Sequence, residues 1–121
     1  MRSILFKAKK LSDGKWVKGS LVKTPFGTFI EWYEDSICNK REVDIDTVCQ
    51  FTGLKDCEGN ELYEHDVIKN YPFIPSEIVW SEELSGYYLT HANGKIYEKP
   101  LGYYLSLGKF IVVGNKFDKE K

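Results

Sequence analysis

The side chains best equipped for chemistry are the thiols of Cys38, Cys49 and Cys57, the imidazoles of His65 and His91, and the carboxylate of Asp66 beside the first histidine. A zinc site made from such groups needs ligands two to four residues apart, and no two of the cysteines and histidines stand so. Cys49 reads instead as a small apolar residue of a strand, and Cys57 and His65 as surface residues near a turn. Catalysis by a nucleophile or a general base needs a third, orienting group converging on the first two. His65 and Asp66 are the one suggestive pair, yet sequence neighbours on a strand point to opposite faces, so neither orients the other without a turn. His91, at a strand end before a turn, reads as exposed. Neither Gly-x-Gly-x-x-Gly nor Gly-x4-Gly-Lys-Ser/Thr occurs, so no phosphate loop is expected. The residues point to no catalytic, metal-binding or cofactor-binding group.

A different chemistry resides in rings beside ammonium groups, which in small β folds stack bases and neutralise phosphates. Lys15, Trp16 and Lys18 are the candidate contacts to a partner or a nucleic acid, and Tyr87, Tyr88, Tyr103 and Tyr104 are further rings of this kind. The same rings serve as readily for core and cross-strand packing. Lys7, Lys9, Lys10, Lys15 and Lys18 gather near the start, and Glu31, Glu34, Asp35, Glu42, Asp44 and Asp46 follow. With 17 basic side chains against 18 acidic ones there is no global field to draw in nucleic acid or an anionic membrane. Aromatic residues make up 15% of the 121, more than a core of this size readily hides, so an apolar patch facing a partner is expected. The N-terminal apolar run Ile4–Phe6 is far too short for a signal core or a membrane span. Three cysteines, an odd number, fit reduced thiols rather than a disulfide framework, and the expected location is the cytoplasm.

These groups must be positioned by short strands, because strand and turn signals alternate along the whole chain. Residues 3–9 and 15–22 flank Asp13-Gly14, a hairpin turn. Residues 26–33 are apolar on both alternating faces and read as a strand covered on both sides. Glu42 to Asp46 alternates charged and β-branched residues, as a strand with one wet face does, and residues 47–52 continue it. The turn at 55–60 leads through one helical turn at Leu62-Tyr63-Glu64 into a strand at 67–69. Pro72 and Pro75 bracket a loop. Residues 78–80 and 86–91 read as strands, Asn93-Gly94 as a hairpin turn, 103–107 and 109–113 as a last strand pair around Gly108, and 118–121 as a charged tail.

The stretch Gln50-Phe51-Thr52-Gly53-Leu54-Lys55-Asp56, followed after a Gly59-bearing turn by Leu62-Tyr63-Glu64-His65-Asp66-Val67-Ile68, resembles the signature of the phage-encoded YopX family. Val112-Val113-Gly114-Asn115-Lys116-Phe117 resembles the family's closing motif, and residues 7–19 its opening hairpin. His65 stands where the pattern usually has Gly, at a position tolerant of positive φ, and histidine is among the better substitutes there. Cys57 replaces a usually polar turn residue. The resemblance implies a β-rich fold with a small SH3-type barrel, phage or prophage origin, self-association and no assigned activity. The motif residues Gly53, Leu54, Asp56, Gly59, Tyr63, Glu64, Asp66, Val67, Gly114 and Asn115 would be structural, with Tyr63 and Val67 anchoring the core and Asp66 capping the turn.

The reading that follows is all-β, with at most one or two short helical turns, built of antiparallel hairpins with an SH3-like barrel in the C-terminal half. Residues 1–121 form one unit, subdivided into a hairpin subdomain over 1–47 and the barrel over 48–121. The expected role is that of a non-enzymatic phage or prophage accessory protein in the bacterial cytoplasm. It needs no cofactor and no membrane, and it binds itself or a phage or host protein. Single-stranded nucleic-acid binding is the alternative, and a small hydrolase comes third.

Overall fold

The computed structural model describes residues 4–70 and 74–118. Its strands are β1 (Phe6–Lys9), β2 (Trp16–Thr24), β3 (Gly27–Glu34), β4 (Ile37–Glu42), β5 (Cys49–Lys55), β6 (Glu61–Tyr63), β7 (Asp66–Lys69), β8 (Ser76–Ser81), β9 (Gly86–Leu89) and β10 (Ile111–Asn115). The helical elements are α1 (Leu101–Leu107) and two 3-10 turns, Ile45–Thr47 and Lys116–Asp118. The fold is therefore mostly antiparallel β with one short helix. It divides into two compact units, Met1–Phe51 and Thr52–Lys121.

In the first unit the strand order is β4-β3-β2-β1-β5, and every pair is antiparallel. The β1–β2 hairpin closes where its sequence directs: Asp13 Oδ1 accepts from Lys15 N at 2.9 Å, and Lys10 N donates to Lys15 O at 2.9 Å. Ala8, Ile30 and Val43 form the core, with Phe6, Val17, Leu21, Trp32 and Val48 packed around them. Alternation leaves Lys7, Lys9, Trp16 and Lys18 on the other face of the sheet, since Lys7 lies opposite Lys18 and Lys9 opposite Trp16. Gly19 owes its place to a close approach, because a Cβ there would collide with the backbone oxygen of Glu31 and lie 3.1 Å from Trp32 Cβ.

In the second unit β7, β8, β9 and β10 make a sheet of order β10-β7-β8-β9, and β6 pairs beside β5. Leu62, Ile68, Ile78, Leu89 and Leu101 are its buried core. Among the described residues this sheet is open, and its pairing does not close into a barrel.

Several elements depart from the sequence expectation, each for a local reason. Tyr103–Leu107 is helix rather than strand: Pro100 caps the start, and Leu101, Tyr104 and Leu105 recur at helical spacing on the face that packs inward. Glu42–Asp46 does not run on as a strand. Asp44 Oδ1 accepts from Asp46 N at 3.0 Å and starts the 3-10 turn, leaving Ile45 exposed. Leu62-Tyr63-Glu64 is the end of β6 and a reverse turn, not a helical turn. The alternation then buries Asp66 and Ile68, so Ile68 and not Val67 anchors the core with Tyr63. The stretch read as a strand covered on both sides is not so covered: Phe26, in the turn before β3, is 89% exposed, and Tyr33 near the end of β3 is 71% exposed. The Asn93-Gly94 turn forms, with His91 N donating to Lys95 O at 2.7 Å, but pairing beyond it is the single bridge Thr90–Ile96. The Pro72 end of the proline-bracketed loop and the tail beyond Asp118 lie outside the described residues.

The packing at Gly19 yields a direct expectation. Gly19→Ala forces apart backbone that a rigid sheet holds in place and should destabilise the protein by about 1–3 kcal/mol. Thermal unfolding monitored by circular dichroism measures it, against Ser20→Ala on the exposed neighbour, which should change stability by less than about 0.5 kcal/mol.

Candidate functional site

Several of the motif residues meet in the second unit around two buried carboxylates, each answered by backbone and amide donors. Asp56, at the start of the turn after β5, accepts from Glu58 N at 2.9 Å and Asn60 N at 2.8 Å on Oδ1, and from Asn60 Nδ2 and Val112 N at 3.0 Å each on Oδ2. Burial alone would raise its pKa, but the hydrogen bonds from Val112 and Asn60, joined by that from Glu58, outweigh it and hold the carboxyl below the ordinary aspartate value of 3.8. Gly59 completes this turn at φ +87°, a conformation that favours glycine. Gly53 and Leu54 lie within β5, the latter partly exposed.

Asp66 is 1% exposed. Its Oδ2 accepts from Tyr63 N at 2.8 Å and its Oδ1 from Asn115 Nδ2 at 2.8 Å, so it fastens the β6–β7 turn to the end of β10. Asn115 Oδ1 in turn accepts from Phe117 N at 2.8 Å. Gly114 sits at a bulge in the β7–β10 pairing. The Tyr63 hydroxyl donates to Glu61 Oε1 at 2.9 Å, and burial, then that carboxylate, pushes its pKa up.

His65 occupies the turn at φ +74° and so does adopt the positive φ of the position where the family pattern usually has Gly. Its N–H donates to Ile78 O at 2.7 Å, its carbonyl accepts from Lys116 N at 2.9 Å, and its Nδ1 lies 2.8 Å from Glu77 Oε2. Glu64 Oε2 lies 3.6 Å from His65 Nε2, and the ring meets Phe117 edge-on. His65 and Asp66 thus engage different partners. The arrangement fixes a turn; it offers no nucleophile beside a base. Cys49 is buried in β5, Cys38 and Cys57 are exposed, and no group of three or more His, Cys, Asp or Glu among the described residues is placed to hold a metal.

Two surfaces offer binding chemistry, one in each unit. In the first unit Lys7 Nζ lies 4.7 Å and Lys9 Nζ 5.7 Å from the centre of the Trp16 ring, with Lys18 opposite Lys7. Across the same face Phe29 lies opposite Val22, and Lys40 Nζ is 5.2 Å from the Phe29 ring. Lys15, the sequence neighbour of Trp16, is exposed just before β2. Lys7 and Lys9, which the sequence groups with the N-terminal lysines, are the ones that the register sets against Lys18 and Trp16. In the second unit a cleft of about 590 Å³ is lined by Ile74, Tyr97, Tyr104, Leu107 and Phe110, with Asn70 and Ser76 as polar members. The Ser76 and Tyr97 hydroxyls are 3.1 Å apart, and Tyr97 stacks on His91 at 4.2 Å. Of the other rings singled out by sequence, Tyr87 packs edge-on against Trp80, Tyr88 is buried, and Tyr103 lies against Tyr104. No signal short of the helix at 101–107 could have assembled the cleft.

Asp56 sets a pH dependence. Its folded pKa is depressed, so the stability it contributes is complete above the unfolded value of 3.8 and is lost as pH falls below it. Asp56→Asn should cost about 1–3 kcal/mol at pH 7, because a donating amide replaces a carboxylate that only accepts. It should also flatten the decline in stability between about pH 4 and pH 2. Urea unfolding of both proteins over that range measures each effect.

A model of the family described as YopX protein matches residues 5–120. No curated protein matches the sequence. Among solved structures, the crystal structure of protein EF1440 from Enterococcus faecalis shares the fold at a TM-score of 0.58, with 15% identity, covering 95% of this chain and 94% of that one. With a family model spanning nearly its whole length, the chain belongs to the YopX family.

Proposed function

We propose that this protein is a non-enzymatic phage or prophage accessory protein that acts in the bacterial cytoplasm as a self-associating module, the second-unit cleft receiving apolar side chains of another copy. The observation that carries the reading is the cleft itself. Its volume falls in the range of built binding sites, and Leu107 and Ile74 in its lining remain 67% and 62% exposed. Each such side chain gains about 1.5–3 kcal/mol when fully buried, so a partner covering both supplies a substantial share of a micromolar affinity. Asn70 and Ser76 add the few polar groups that fix orientation in an otherwise apolar site. The resemblance to phage-encoded proteins of the YopX family supports the origin and the self-association. No helix among the described residues is long and apolar enough to cross a membrane.

Sedimentation velocity at 0.1 M and 1 M NaCl tests the reading. A homo-oligomer that persists at 1 M salt and is weakened about tenfold or more by Leu107→Glu is expected, since apolar contacts are not screened. A monomer at every concentration up to roughly 100 μM, about 5.5 kcal/mol of association, would contradict it.

A further inference from the structure

We infer that two copies of this protein meet through the outer faces of α1, set antiparallel about a two-fold axis, so that Leu107 of each packs beside Tyr103 of the other at the mouth of the cleft. The pairing presupposes that copies meet at the second-unit cleft, as proposed above, and names the segment that does so. The sequence of α1, Leu-Gly-Tyr-Tyr-Leu-Ser-Leu, holds no charged residue. A surface helix ordinarily sets charged groups opposite its apolar face, and one that is apolar on both sides is buried. Leu101, Tyr104 and Leu105 account for the inner face, where they pack on the core of the unit. The outer face is Gly102, Tyr103, Ser106 and Leu107, all exposed, Tyr103 by 45% and Leu107 by 67%. The Ser106 hydroxyl donates to Tyr103 O at 2.6 Å within the helix, so it can be covered without losing its partner.

The charges around the helix point to a second copy as the occupant. Glu98 and Lys99 precede α1 and Lys109 follows it, all three exposed. Lys99 Nζ lies 5.7 Å from the centre of the Tyr103 ring of its own chain. Two α1 helices laid parallel would set Lys99 beside Lys99 and Lys109 beside Lys109, which repel. Laid antiparallel, each brings Glu98 toward Lys109 of the other. The N-terminal end of each helix then lies beside the C-terminal end of the other, the sense that helix dipoles also favour. Between those ends the two faces that meet are uncharged. A two-fold interface uses the same patch on both sides, so it requires a surface that complements itself in this way. The pairing covers Tyr103 and Leu107, two of the large apolar side chains that the single chain leaves in water.

Charge variants of Ser106, compared with the parent by sedimentation velocity of the full chain at 0.1 M NaCl, test the pairing. Ser106→Arg and Ser106→Glu should each associate about tenfold or more weakly than the parent, because the two-fold axis brings like charges together. Mixed in equal amounts, the two variants should associate about tenfold more tightly than either does alone, because opposite charges then meet. Glu83→Arg, in the turn between β8 and β9, should leave association unchanged. A parent that dimerises, is weakened by either charge at Ser106 and is recovered in the mixture supports the pairing. If the parent associates and both Ser106 variants, still folded by circular dichroism, associate as tightly as it does, or gain nothing on mixing, the pairing through α1 is overturned and self-association at the cleft stands. A parent that stays monomeric overturns both.

Discussion

The second unit depends on a hydrogen bond between side chains 49 residues apart: the Asn115 amide donates to Asp66 Oδ1 at 2.8 Å, and both residues are buried. An ionised or polar group in such a place is tolerated only when its lone pairs are answered, and Asp66 uses the second oxygen to take the Tyr63 backbone N–H. One side chain thereby sets the β6–β7 turn and the position of β10 against β7. Asp56 repeats the device one turn earlier, gathering its own turn and reaching Val112 in the same β10. Two carboxylates thus specify the path of a strand that arrives some 50 residues later in the chain.

This use of carboxylates also explains why the most distinctive residues of the chain are not its reactive ones. A catalytic acid or base needs a lone pair or proton facing a substrate, whereas both oxygens of Asp56 and Asp66 are committed to the protein's own donors. His65 is held in a similar way. Its backbone reaches Ile78 and Lys116, its ring sits between Glu77 and Phe117, and its positive φ is sustained by those contacts. The surfaces the scaffold presents include a cleft lined in part by α1 and a lysine-rich sheet face.

Much of the scaffold was legible because its signals are local. Asp13-Gly14 demands a hairpin, the strands read at 78–80 and 86–91 are the paired β8 and β9, and the turn read at 55–60 forms with Gly59 at positive φ. What escaped was decided at longer range. α1 is short, and its helical spacing of Leu101, Tyr104 and Leu105 becomes decisive only when there is a core for it to face. Val67 and Ile68 are equally apolar, and which one is buried follows from Asp66 being turned inward toward Asn115. For the surfaces, Trp16 and Lys18 were visible in sequence, but their neighbours Lys7 and Lys9 are brought in by cross-strand register, and the cleft joins residues from Asn70 to Phe110 that share no periodicity.

The central claim, that the Asp66–Asn115 contact holds the second unit together, is tested most directly by a double-mutant cycle. Stability by urea unfolding would be measured for the parent protein, Asp66→Ala, Asn115→Ala and the double variant. A coupling of about 1–3 kcal/mol is predicted, with either single change costing nearly as much as both, because each leaves the other buried group without its answer. Losses that simply add, with a coupling below about 0.5 kcal/mol, would contradict the account.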